Sequence, residues 1–158
     1  MKNQSQLLKK LIKSNEFLEI PSQGFSMYPM ISQNNVCAFE QFNLKKLNKG
    51  DILLFETKDG GLTGHRYLRT INLNGQIGFI CKGDTNLYPD EPVFEGEVIG
   101  RLTLIKKSRT TIDVTKWFMK IYSLLLCHSR AASILLHIYV HKILKKRNGK
   151  AHEESSFS

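Results

Sequence analysis

The chain has 158 residues, 41% hydrophobic and 23% charged, enough for one well-cored domain with a short appendage but too short for two full domains. Its net charge of +9 is unevenly spread: residues 1–100 carry 11 Lys and Arg against 11 Asp and Glu, whereas residues 101–150 carry 12 against Asp113 alone. The basic character belongs to the C-terminal third and points to an anionic partner for that segment, either lipid headgroups or nucleic acid, while leaving the rest electrostatically ordinary.

Leu7, Leu8, Leu11 and Ile12 recur at helical spacing, so residues 4–16 are expected to form a short amphipathic helix docked on the domain, within an N-terminal segment 1–17. Lys9, Lys10 and Lys13 interrupt its apolar positions, so this segment reads as neither a cleavable signal peptide nor a membrane span. From Leu18 to Lys106 short apolar runs rich in β-branched and aromatic residues alternate with Gly, Asn, Asp and Pro, the pattern of a mainly β, antiparallel domain. Strands are expected near 17–21, 36–39, 52–57, 62–73, 76–82 and 97–106. Asp59-Gly60-Gly61 and Asn74-Gly75 tolerate the positive φ of tight hairpins, so the third, fourth and fifth strands should form a meander.

Residues 107–147 return to a helical, basic pattern, with Trp117, Phe118, Ile121, Leu124 and Leu125 on one stripe and Ala131, Ile134, Leu135, Ile138 and Tyr139 on another. Uncharged stretches here reach only about ten residues, against roughly twenty for a bilayer span. Residues 116–147 are therefore expected either to lie on an anionic membrane surface or to pack on the domain as a helical hairpin. Asn148 to Ser158 is polar and reads as a disordered tail. Cys37, Cys81 and Cys127 are far apart and show no paired spacing, so each reads as a buried apolar residue and not as a metal ligand or disulfide partner. His137 and His141 lack an accompanying Glu or Cys and read as a helix-surface pair; no metal or cofactor is proposed.

The most specific segment is Gly24-Phe25-Ser26-Met27-Tyr28-Pro29. A serine hydroxyl becomes a useful nucleophile only when held beside a base and near oxyanion donors, and a tight turn with free N–H groups can do both. Such turns are also common on surfaces, so further residues are needed. Gly64-His65-Arg66 lies on a predicted strand beside Gly50-Asp51-Ile52-Leu53-Leu54-Phe55, and Lys82-Gly83-Asp84-Thr85-Asn86 with Asp90 supplies two carboxylates after the next strand.

In order and spacing these segments resemble the type I signal peptidase family, specifically its endoplasmic-reticulum and sporulation branch, which uses histidine as base. The Ser-Met-x-Pro box matches Ser26 to Pro29, the Gly-Asp-Ile-x-x-Phe strand Gly50 to Phe55, the His-Arg box His65-Arg66, the Lys-Gly-Asp-x-Asn box Lys82 to Asn86, and a late Val-x-Gly-Arg segment Val98 to Arg101. The resemblance spans residues 18–106. It implies a serine endopeptidase that cleaves a leader or precursor peptide after small side chains, with Ser26 as nucleophile, His65 as base, and Asp90 or Asp84 as the third catalytic residue. Gly24 and Met27 would flank the oxyanion and substrate site.

Two departures stand out. Gly24 replaces the serine that many family members place two before the nucleophile, and Asn34-Asn35 replaces a Gly-Asp turn. The N-terminal membrane anchor of the known enzymes has no counterpart in residues 1–18, so a cytoplasmic or peripheral membrane location is expected. Two other functions stay open: a catalytically silent peptide-binding module, and a regulator like the self-cleaving repressors, in which Lys82 would be the base. Residues 1–20 hold too little chain for a helix-turn-helix, and the basic segment lacks aromatics at nucleic-acid-binding spacing, which argues against nucleic acid.

Overall fold

The computed structural model describes residues 2–155, with side chains described for 5–129 and 131–143. The elements in chain order are α1 (Lys2–Asn15), β1 (Phe17–Pro21), β2 (Val36–Gln41), β3 (Ile52–Glu56), β4 (Leu62–Leu73), β5 (Gln76–Lys82), β6 (Val93–Phe94), β7 (Val98–Lys106), β8 (Thr111–Asp113), α2 (Trp117–His128) and α3 (Arg130–Ser155). All eight strands among the described residues join one sheet in the order β1-β2-β7-β3-β4-β5-β6, with β8 also paired to β7. Every pairing is antiparallel. The expected mainly β architecture with flanking helices is what forms. The β3-β4-β5 meander is present, and β4 and β5 are joined at Asn74 (φ +51°) and Gly75 (φ +82°), the left-handed pair that a tight hairpin turn requires.

β3 explains why its sequence is an uninterrupted apolar run. Ile52 and Leu54 belong to one core cluster with Ile12, Met27, Cys37 and Phe39, while Leu53 and Phe55 belong to a second with Tyr67, Phe79 and Val98. A strand buried on both faces has no solvent side on which to alternate polar residues. α1 contributes Ile12, which is 1% exposed, to the first cluster. It can sit this close to β7 because Gly100 has no side chain: a Cβ there would lie 2.8 Å from the Glu40 carbonyl oxygen and 2.9 Å from Ile12 Cδ1.

No single helix among the described residues is long and apolar enough to cross a membrane, and α2 and the first part of α3 meet at 90°. The helical wheel of this pair is inverted relative to the hairpin expectation. Trp117, Phe118, Ile121, Leu124, Leu125, Ile134, Leu135, Ile138 and Tyr139 are exposed, while Ser123, Ser133 and Val140 are the buried positions. Most of the apolar stripe therefore faces outward, while Ser123, Ser133 and Val140 are buried and Met119 and Tyr122 pack partly against the first core cluster. α3 also runs on through residues 148–155, part of the stretch whose composition suggests disorder, and residues 156–158 lie outside the described residues.

Candidate active site

Ser26 lies in a loop, residues 22–35, whose neck is closed by hydrogen bonds. Ser22 N–H donates to Asn35 O at 2.7 Å and Asn34 N–H to Ser22 O at 2.9 Å. Ser22 Oγ donates to Ser32 O at 2.6 Å, and Asn35 Oδ1 accepts from Ser32 N–H at 2.8 Å. Asn34 takes φ +66°, a conformation asparagine tolerates, so the Asn34-Asn35 pair does the work of a Gly-containing turn. Inside the loop, Tyr28 N–H donates to Phe25 O and Ile31 N–H to Met27 O, and the side chains of Met27 and Met30 are buried as its root. Gly24 adopts φ +76°, so a serine at this position would carry backbone strain even though its Cβ would meet nothing within 4 Å.

A second turn, Lys82 to Asn86, holds the backbone of Ser26 from the other side. Thr85 N–H donates to Ser26 O at 3.0 Å, and Thr85 Oγ1 approaches the same oxygen at 3.3 Å. Gly83 makes this approach possible, since a Cβ there would lie 2.9 Å from Ser26 O. Thr85 had no assigned role in the sequence pattern; its position inside the Lys-Gly-Asp-x-Asn segment was the available signal.

β4 carries His65 and Arg66 side by side, and neighbouring strand residues project to opposite faces. The two acids divide between them. His65, 6% exposed, bonds through Nδ1 to Asp90 Oδ2 at 2.6 Å, and Asp90 is drawn to β5 by its N–H donating to Cys81 O at 2.8 Å. The Phe55 ring packs edge-on against the imidazole. Arg66, 1% exposed, forks onto Asp84, with Nε to Oδ1 and Nη2 to Oδ2 both at 2.7 Å. Its Nη1 donates to Gly50 O at 2.9 Å and to Ser123 Oγ of α2 at 2.6 Å. Burial alone would lower the Arg66 pKa, but the hydrogen bonds and charge of Asp84 outweigh it and raise it. Of the two acids, then, Asp90 touches His65 and Asp84 clamps the turn that carries Thr85.

Ser26, Met27, Gly24 and His65 all line one groove of about 490 Å³, walled by the end of β1 on one side and Leu62 to Gly64 of β4 on the other. Met27 packs in the core under the turn and also forms part of the groove wall. Lys82 directs its ammonium to Ser133 Oγ at 2.8 Å. His137 is half-buried and bonds through Nδ1 to Thr85 O at 3.1 Å, so the surface-pair expectation fails for it, although His141 beside it is exposed. Among the described residues no three His, Cys, Asp or Glu are grouped as a metal site would need. All three cysteines are free, Cys37 and Cys81 buried and Cys127 half-buried. Burial pushes the Cys37 thiol up to about 11, and burial with the nearby Asp90 carboxylate pushes Cys81 up to about 12, which disfavours the thiolate of each near neutral pH.

The groove thus joins a serine whose carbonyl is held by Thr85 and a buried histidine bonded to a carboxylate along one channel of about 490 Å³. No protein-family model matches this sequence, and no curated protein matches it either.

Proposed function

We propose that this chain is a serine endopeptidase of signal-peptidase type that cuts a leader or precursor peptide lying in the groove. The observation that carries the proposal is the 2.6 Å bond from His65 Nδ1 to Asp90 Oδ2, with Ser26 lining the same groove as His65. With Nδ1–H donated to the carboxylate, the lone pair resides on Nε2, the tautomer a general base needs. Ser26 Oγ attacks the peptide carbonyl carbon as its proton passes to His65 Nε2. The imidazolium returns that proton to the leaving amine as the C–N bond breaks, and water, activated by the same nitrogen, releases the acyl group. Asp90 is the orienting acid, and Asp84 is a structural residue that fixes the Thr85 turn behind Ser26. Small glycines in the Gly60 to Gly64 wall suit a peptide main chain lying close to β4, and the resemblance to signal peptidases points to cleavage after small side chains. The enzyme works as a peripheral protein at a membrane surface, reached through residues 116–147.

A self-cleaving mechanism with Lys82 as base is disfavoured, because its ammonium is bonded to Ser133. The test is cleavage of candidate precursor peptides by the wild type and by Ser26→Ala, His65→Ala and Asp90→Ala. Loss of cleavage in all three supports the mechanism, whereas undiminished cleavage by Ser26→Ala refutes it. A wild type that binds peptide without cutting it would make the chain a silent binding module instead.

A further inference from the structure

The inverted amphipathicity of α2 and α3 has a physical cause on each side. Several of their inward positions are polar because they meet polar groups of the domain: Ser123 receives Arg66 of β4, Ser133 receives Lys82, and His137 meets Thr85 O, beside the packed Met119 and Tyr122. Tyr139 stacks on Tyr28, two residues past Ser26, at a centroid distance of 5.8 Å. Their outward positions are apolar and uncovered. Trp117 is 73% exposed, Leu125 65% and Leu135 67%, a concentration of large apolar side chains that a water-facing helix does not carry without a partner.

We propose that the outer face of the α2–α3 elbow docks on an anionic lipid bilayer, and that this docking presses the elbow onto the Ser26 and Thr85 turns and orders them. A bilayer is the occupant that the charge selects. Between residues 101 and 150 the sole acid is Asp113, and Lys116, Lys120 and Lys142 flank or join the apolar face, the pattern that attracts phosphate headgroups while aromatic rings settle at the interface. A second copy of this surface would bring like charges together, and an acidic protein partner would pair with the lysines but leave the apolar plane between them uncovered. The 12 residues of α2 extend about 18 Å at 1.5 Å per residue, too short to cross and suited to lying flat. The docking part is independent of the peptidase proposal; only its consequence for cleavage rests on it.

The test is flotation of the full chain with phosphatidylcholine vesicles, with and without one part in three of phosphatidylglycerol, at low and high salt. The wild type should float with the anionic vesicles, about tenfold less with the neutral ones, and should be released by salt. The triple variant Trp117→Asp, Leu125→Asp, Leu135→Asp changes exposed positions only and should stay folded by circular dichroism yet lose at least about tenfold of the binding. Ser26→Ala should float like the wild type, which separates this proposal from the fate of the peptidase mechanism. Equal flotation of wild type and triple variant overturns the proposal, as does a wild type that ignores vesicles but forms a dimer abolished by the triple variant. Binding that survives high salt and alkaline washing identifies an inserted, broken span and also overturns it. Hydrogen exchange reads the ordering: amides of residues 24–31 and 83–90 should exchange more slowly on anionic vesicles, and unchanged rates remove that part.

Discussion

Replacing Asp84 by alanine should damage stability more than any other change near the groove, and more than the same change at Asp90. The reason is the guanidinium left behind. Arg66 is 1% exposed, and of the four hydrogen bonds it makes to oxygen, two go to the Asp84 carboxylate. Without that carboxylate a full charge stays buried with only Gly50 O and Ser123 Oγ to solvate it, a situation that costs about 3–5 kcal/mol. Against a total stability of about 5–15 kcal/mol for a domain of this kind, that is a large fraction. At a urea slope of about 2 kcal/mol per molar, the midpoint should fall by roughly 2 M. Asp90 is different: its side chain is 23% exposed and bonds an imidazole, so Asp90→Ala should lose only about 1–2 kcal/mol. Changing Arg66→Met together with Asp84→Leu removes both charges and should recover most of the Asp84→Ala loss, since an apolar pair of similar volume tolerates burial. Urea unfolding followed by tryptophan fluorescence and circular dichroism makes the comparison. An Asp84→Ala protein with a wild-type midpoint, or an Asp90→Ala protein less stable than Asp84→Ala, would refute the division of roles between the two acids.

Gly83→Ala should lower stability by about 1–3 kcal/mol and, on the proposed mechanism, cleavage with it, because its Cβ would meet Ser26 O at 2.9 Å and push the Ser26 turn; activity falling further than stability is the expected signature, read by kcat at a temperature where the variant is folded. Gly50→Ala, at φ +94° and with a Cβ 2.8 Å from Ser123 Cβ, should loosen α2 from the Arg66 clamp, seen as faster exchange of α2 amides; unchanged exchange would show that α2 is held elsewhere. Cys81 gives a stability change with pH. Its thiol is held up to about 12 in the folded chain against an ordinary 9.0, so the folded state keeps a proton that the unfolded state releases. The stabilisation is present below about pH 9 and declines as pH rises toward the folded value, by roughly 1.5 kcal/mol between about pH 9 and about pH 10.5. Cys81→Ala should lack that decline, and parallel pH profiles for the two proteins would contradict it.

Much of the sheet was readable because its signals are local. Asn74-Gly75 and the alternation on either side mark β4 and β5 to the residue, and β3 is a plain apolar run. β6 and β8, with two and three residues, are too short to leave a periodic trace and exist through their pairing with β5 and β7. The contact between His65 and Asp90, 25 residues apart, could be expected only from the order of the boxes, which put Asp90 first and kept Asp84 as a second candidate or a structural residue of its turn. Arg66 takes Asp84 as its partner, and it stood in the quoted His-Arg box without a role. The direction faced by α2 and α3 was not readable at all. Periodicity reports that a helix has an apolar stripe, whereas the side that packs was set here by Ser123, Ser133 and His137, whose partners are more than fifty residues away.

The proposed nucleophile is Ser26, activated by His65, which Asp90 orients. Treating the purified full chain with a serine-directed fluorophosphonate, followed by intact-mass measurement, tests it most directly. A single covalent adduct on Ser26 is expected, lost in Ser26→Ala and slowed by orders of magnitude in His65→Ala, while Asp84→Asn retains labelling to the extent that it folds. A wild type that remains unlabelled, or that is labelled equally well after Ser26→Ala, would contradict it.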